Sequence, residues 1–235
     1  MTGPAWRTRG EELLLARISA AAGREHLGKR RATYAAAAHT THAKPSWARG
    51  IRGLPAFVRY GRLSATKGRD DARLDLYVRG MTIAVKGRIL VVRYDTTSVF
   101  RTSPPHPYDP ARSCALTDVG GQRVVLSGRP EHDDVAEWRY GIQRGVTRSQ
   151  LPRALTALDR GERLAFGDIW LTREKIGWGE LCVWWPQVRH LRIREEAVEL
   201  DIDGRWHGPG PAVSGIPNLF VLRALVEHLG SDGGR

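Results

Sequence analysis

Few residues in this chain have both the type and the spacing for chemistry. His39 and His42 stand in an H-x-x-H arrangement. That spacing can offer two imidazoles to zinc, but a zinc site needs further Cys, His or carboxylate ligands, and none stands near. Glu199, Asp201 and Asp203 resemble a general acid–base cluster. Their period of two puts them on one face of a strand, opposite Arg192 and Arg194 on the strand before, so cross-strand ion pairs account for them. The two cysteines, Cys114 and Cys182, are too few for a zinc site of the usual kind. They read as buried or half-buried free thiols, which fits a reducing compartment. No G-x-S-x-G nucleophile elbow occurs, and Ser214 reads as a helix-start serine. Nor is there a phosphate loop or a G-x-G-x-x-G following a strand. The sequence therefore assigns no catalytic residue, no metal and no cofactor, and reads as a non-enzyme.

Charge is more telling. The chain carries 37 Lys and Arg against 25 Asp and Glu, a net charge of +12. Residues 1–100 hold 19 basic and 7 acidic residues, whereas residues 101–235 hold 18 of each. From Arg17 to Arg69 there are 12 basic residues and one acidic residue, Glu25. Such a neutral body with a basic front attracts polyanions: nucleic acid, an anionic lipid leaflet or an acidic partner. The candidate polyanion-binding residues are Lys29, Arg30, Arg31, Arg49, Arg52, Arg59 and Arg62. Trp47, Phe57 and Tyr60 lie among the positives, as in a single-strand binder or an interfacial anchor.

The elements that must position these residues follow from periodicity. Glu11–Ala22 predicts a helix, with Leu14, Ile18 and Ala21 on one face. Glu11, Glu12 and Arg17 interrupt its apolar run, which argues against a signal peptide, and no stretch reaches the ~18 apolar residues of a membrane span. After it, Thr40–Arg69 reads as irregular, broken by Pro45, Gly50, Gly53, Pro55, Gly61 and Gly68. Residues 1–70 are thus expected to form a basic arm with one helix and little packing. Further on, Leu181, Val183 and Trp185 alternate with Cys182 and Trp184. Leu191 and Ile193, then Val198, Leu200 and Ile202, alternate with charged residues. Asp203-Gly204 signals a turn. Leu219, Leu222, Val226 and Leu229 fall at helical spacing, with Pro217 before and Gly230 after, predicting a helix over 216–229.

An earlier stretch reads the same way. Asp75-Leu-Tyr-Val matches Asp168-Ile-Trp-Leu, and Leu90, Val92 and Tyr94 match Leu181, Val183 and Trp185. Phe100 falls against Leu191, and Arg153-Ala-Leu matches Arg223-Ala-Leu, predicting a first helix over 149–160. The extra length of the first copy is assigned to the loops Thr102–Ser113 and Gly128–Gly145. Two copies make a duplicated domain rather than a solenoid.

The pattern Leu171-Thr172, Ile176, Val183, Trp185 and Val188, closed by a C-terminal helix, resembles the pleckstrin-homology-like (PH-like) domains of bacterial proteins. From about Arg73 to Gly230 the chain resembles an uncharacterised bacterial family with two such halves. The resemblance implies a mainly β (α+β) fold of two antiparallel barrel-like or sandwich halves, 71–161 and 162–230, each closed by a C-terminal helix. In lipid-binding members of the class, basic residues in the loop between the first two strands grip headgroup phosphates. Here Arg173 and Lys175 stand in the corresponding loop, with Glu174 between them and Glu180 just after, which departs from a dense basic cluster.

Five of the eight tryptophans, Trp170, Trp178, Trp184, Trp185 and Trp206, belong to the second half. Trp185 shares the apolar parity and is expected in the core. Trp184 takes the opposite parity and is expected to help join the halves, an exposed Trp patch being otherwise a liability. Arg173, Lys175, Trp178 and Trp184 are therefore the candidate ligand or interface residues. The expected function is a cytoplasmic, non-catalytic adaptor with an unknown protein partner, drawn to the anionic inner face of a membrane by its basic arm. Nucleic-acid binding through the same arm is the second choice.

Overall fold

A computed structural model of the chain describes residues 8–41, 70–101, 113–128 and 134–232. The expected loop Thr102–Ser113 falls almost wholly outside these residues, as do Trp47, Phe57 and Tyr60. Among the described residues the fold is mainly β, with three α-helices and antiparallel sheets.

Helix α1 (Arg9–Arg24) contains the expected helix. Thr8 and Glu11 close its start reciprocally: the Thr8 hydroxyl accepts from the Glu11 amide at 3.3 Å, and the Thr8 amide donates to the Glu11 carboxylate at 2.9 Å. Two of the unpaired N-terminal amides are satisfied this way. Ile18, Ala21 and Ala22 are buried.

The chain then enters β1 (Arg30–Thr41), and here the expected arm is corrected. This strand is the centre of a seven-stranded sheet, paired with β2 (Asp70–Tyr77) on one side and β7 (Arg123–Ser127) on the other. The alanines at 36, 37 and 38 are buried, so small side chains sit where both faces of the sheet are covered. Alanine's helix propensity is a weak prior that two neighbouring strands override. The sheet continues through β3 (Gly80–Val85), β4 (Arg88–Arg93), β5 (Phe100–Arg101) and β6 (Ser113–Thr117), in the order β4-β3-β2-β1-β7-β6-β5.

Helix α2 (Val135–Asp159) crosses this sheet and buries Val135, Trp138, Ile142 and Val146. It begins fourteen residues before the expected 149, taking in most of the loop assigned to Gly128–Gly145. The glycines that made this stretch look irregular are packing residues. A Cβ on Gly141 would lie 2.8 Å from Leu76, and one on Gly145 would run into the Tyr94 ring. The helix lies against the sheet because those positions have no side chain.

After α2 the chain again runs through antiparallel strands and closes with a helix. A four-stranded meander, β8 (Leu164–Phe166), β9 (Ile169–Leu171), β10 (Lys175–Trp178) and β11 (Leu181–Trp184), precedes a three-stranded one, β12 (Val188–Arg194), β13 (Ala197–Ile202) and β14 (Arg205–His207). Helix α3 (Leu219–Asp232) follows and buries the expected stripe of Leu219, Leu222, Val226 and Leu229. Ser214 lies in a short 3-10 turn, Val213–Gly215, and Asn218 is the residue before the helix.

Among the described residues no sheet closes into a barrel, which corrects that expectation: the long sheet ends on β4 and β5, and the four- and three-stranded sheets of the second half are separate. One core of buried side chains runs through both halves. At their junction Asn218 is nearly fully buried and hydrogen-bonds in three directions. Its side-chain oxygen accepts from the Val99 amide at 2.8 Å, and its amide group donates to the Thr97 carbonyl at 3.1 Å and to Gln150 at 2.8 Å. Gln150 in turn donates to the Tyr94 and Thr97 carbonyls at 2.8 and 2.9 Å.

Candidate binding surfaces

The four-stranded sheet separates its residues by parity. Ile169, Leu171, Ile176 and Val183 are buried on the inner face. Residues directly opposite one another in an antiparallel pair share a face. The pairings Ala165–Trp170, Trp170–Gly177, Gly177–Cys182 and Lys175–Trp184 therefore put Trp170, Lys175, Cys182 and Trp184 together on the outer face. There the Lys175 ammonium sits 3.9 Å above the centre of the Trp184 ring. The Arg163 guanidinium sits 4.2 Å from the Trp170 ring. Trp170 lies over Gly177, where a Cβ would come within 2.7 Å of the indole. A third stack, Arg192 over Trp206 at 3.7 Å, occupies the three-stranded sheet.

Trp184 is 50% exposed and Trp206 41%. Trp184 is therefore not part of the core that runs through both halves, and Lys175 lies over its ring. Of the four expected residues, Lys175 and Trp184 come together. Trp178 shares the inner parity of Ile176 and packs half-buried against the core, beside Gly210. Arg173 reaches Asp159 at the end of α2, at 3.5 Å, and so ties the second half to the first half's helix. Arg163 and Trp170 were not anticipated as a pair. The signal for Trp170 is its place between Ile169 and Leu171, which points it away from two core aliphatics.

The N-terminal basic residues divide. Lys29 and Arg31 are exposed. Arg30 contacts Asp75 at 3.4 Å, and Asp75 also accepts from Arg73 at 2.8 Å and from the Thr33 hydroxyl at 2.6 Å. Asp75 is fully buried. Burial acts to raise its pKa, and the hydrogen bonds from Arg73 and Thr33, with the charges of Arg73 and Arg30, outweigh it and hold the carboxyl below its ordinary range. Arg30 is thus committed to a structural ion pair. Arg49, Arg52, Arg59 and Arg62 lie outside the described residues.

For catalysis the structure brings little together. Among the described residues no three His, Cys, Asp or Glu side chains are grouped to hold a metal. His39 belongs to β1, paired with Val125, rather than to an arm, and His42 lies outside the described residues. Arg192 and Glu199 form the expected cross-strand ion pair, at 2.6 Å. Asp203 accepts from Gln187 at 3.2 Å, and Asp201 is buried opposite Trp206. Cys114 is buried, and that burial pushes its thiol pKa up to about 12, leaving it unreactive at neutral pH. Cys182 is exposed, on the outer face with Trp184, because its parity is opposite to that of Val183.

Among the described residues no helix is long and apolar enough to cross a membrane. Residues 130–233 match the model of a family of unknown function (DUF6585). The match begins just before α2 and ends with α3, so it takes the first half's helix together with the whole second half. No curated protein matches the chain.

Proposed function

We propose that this chain is a non-catalytic binding protein of two PH-like halves, in which the second half presents an aromatic and cationic sheet face to an anionic membrane surface. The two-half reading is supported by the order of elements: four strands, three strands and a helix, twice over. The observation that carries the binding reading is the outer face of the four-stranded sheet, where Arg163 and Lys175 stack on Trp170 and Trp184 with half of Trp184 in solvent. An exposed Trp is out of place in water and at home at a lipid–water interface, where its apolar body is buried and its N–H stays wet. A cation lying on the ring adds attraction for an anionic headgroup. Exposed Lys29 and Arg31, with the remaining N-terminal cations, add long-range attraction that salt screens. The protein acts as an adaptor: the membrane face locates it, and its other surfaces recruit a protein partner.

The test is sedimentation of the full chain with anionic and with neutral vesicles, run beside shift assays with short single- and double-stranded DNA and RNA. Binding to anionic vesicles that survives excess nucleic acid, and that drops in Trp184→Ala and Lys175→Glu, is the expected result. Because stacked aromatics and cations also suit single-stranded nucleic acid, sub-micromolar nucleic-acid binding with none to vesicles would overturn the reading. Binding to neither would leave the face to a protein partner alone.

A further inference from the structure

The junction of the two halves holds a cavity of about 190 Å³ that neither half forms by itself. Helix α2 supplies Arg139, Ile142 and Gln143, which share one helical face at spacings of three and four. Helix α3 supplies Leu219, Phe220 and Arg223 in the same manner, and Arg101 comes from β5. The remaining wall is mostly apolar, including Ile193 and Ile216. Three arginines thus line a mostly apolar hollow, and among the described residues no carboxylate does.

The described residues offer these arginines little counter-charge. Arg101 and Arg139 are half-buried, and neither has an ion-pair partner among the described residues. Arg223 contacts Glu227 at 3.8 Å, one turn along an exposed helix face, where such a pair contributes little. The field of Arg139 reaches the buried Cys114 thiol in the cavity wall and opposes the effect of burial there. Like charges gathered around a low-dielectric hollow repel one another, and an anion between them relieves that repulsion. The planar fork of arginine suits a carboxylate, which it can grip through two parallel hydrogen bonds.

We propose that this cavity binds a short-chain aliphatic carboxylate, its head held by Arg101, Arg139 and Arg223 and its tail against Ile142, Leu219 and Phe220. The volume sets the length. At ~30 Å³ per water-sized unit the cavity holds about six non-hydrogen atoms, enough for the carbon chain of a five- or six-carbon acid with its carboxylate oxygens against the bordering arginines. Because the walls come from both halves, an occupant also fastens α2 to α3. The site is separate from the outer sheet face, so it stands or falls apart from the membrane reading.

Calorimetric titration of the full chain with hexanoate tests the proposal, with acetate, hexanol and hexylamine as comparison ligands. Hexanoate binds saturably and raises the thermal midpoint, hexanol and hexylamine do neither, and acetate binds about 250-fold more weakly, at about fourfold for each of the four lost methylenes. Arg223→Gln, an exposed position that leaves the fold intact, weakens hexanoate at least tenfold, and Arg139→Gln does the same wherever its midpoint matches the parent's. Equal affinity for hexanol and hexanoate would remove the anion site. Acetate binding as tightly as hexanoate would remove the apolar one, and unchanged affinity in Arg223→Gln would refute the assignment outright.

Discussion

The two halves of this molecule run through the same order of elements and finish them differently. In the first, β1 is 12 residues long, enough to pair with β2 along one edge and β7 along the other, so the four strands and the three strands fuse into one sheet. In the second, β8 has three residues and no such bridge exists, and the two sheets stay separate. Their outer faces diverge as well. The first half covers part of its outer face with α1, whose Ala21 and Ala22, with Leu27, pack against Tyr77 and Val91. The second leaves Cys182 and Trp184 exposed, with Trp170 and Lys175 half-buried beside them. The first half has one continuous sheet partly covered by a helix, and the second has two separate sheets and an aromatic face left partly open. The division of labour is physical before it is functional.

The largest expected effect tests whether the halves are separable at all. Leu222 is fully buried in a core common to both halves. Leu222→Asp puts an unpaired charge there, at a cost above about 4 kcal/mol. Since α3 also anchors Asn218 to the first half, the variant should lose both halves in one step. Circular dichroism showing a native first half beside an unfolded second would break the single-core account.

Next comes the aligned pair Asp75 and Asp168. Asp75 is fully buried under Arg73, Arg30 and Thr33, whereas Asp168 is exposed. Asp75→Ala should cost toward the low end of the ~3–5 kcal/mol for breaking a buried pair, because both arginines keep contact with water. Asp168→Ala should stay within ~0.5 kcal/mol. The pH dependence has a definite sign. The folded pKa of Asp75 lies below the ordinary carboxyl value of 3.8. Its contribution is therefore complete above the unfolded value and is lost as pH falls through the lower folded one. Urea midpoints measured from pH 6 down to pH 3 should fall less steeply in Asp75→Asn than in the parent.

These contrasts also explain what could be read from sequence. Helix α3 was legible from its stripe and proline, although it runs through Gly230, expected just past its end, to Asp232; the anchors Tyr94 and Trp185 were legible because their parity matched between the two stretches, and both are buried. The Arg192–Glu199 pair followed from alternation. Strand β1 was not legible. Its alanine run has no alternation, and what makes it a strand is pairing with residues 70–77 and 123–127, far along the chain. The front of α2 was hidden by Gly141 and Gly145, whose reason is a close approach visible only in three dimensions. The half-exposure of Trp184 and its stack on Lys175 were not legible either, because they depend on which residue of the neighbouring strand lies across from it.

A smaller effect probes that close approach. Gly145→Ala pushes a methyl into the Tyr94 ring. Overpacking of this kind costs about 1–3 kcal/mol, which should exceed the ~0.5–1 kcal/mol that alanine gains over glycine as a helix former. A net rise in the thermal midpoint would mean that α2 can slide outward, and that the first half is less rigid than the comparison requires.

The smallest expected effect is the one that separates a surface for contact from a surface for stability. Trp184→Ala removes a half-exposed ring together with its stack on Lys175, and neither is part of the core. A cation–π pair at an exposed site is worth about 0.5–1 kcal/mol, and the partly buried area of the ring adds little more. The variant should keep its compactness by small-angle scattering, and its urea midpoint should move by no more than that amount implies. If Trp184 instead held the halves together, the loss would approach the ~3–5 kcal/mol of a core Trp→Ala change, and unfolding would become biphasic. Trp185→Ala, the next residue along and of opposite parity, supplies that larger loss within the same chain: it is buried, and its indole N–H donates to the Thr172 carbonyl at 3.0 Å. A large gap between these two neighbours, with vesicle binding lost in the variant that stays stable, would place the second half's function on its outer face and its stability on the inner one.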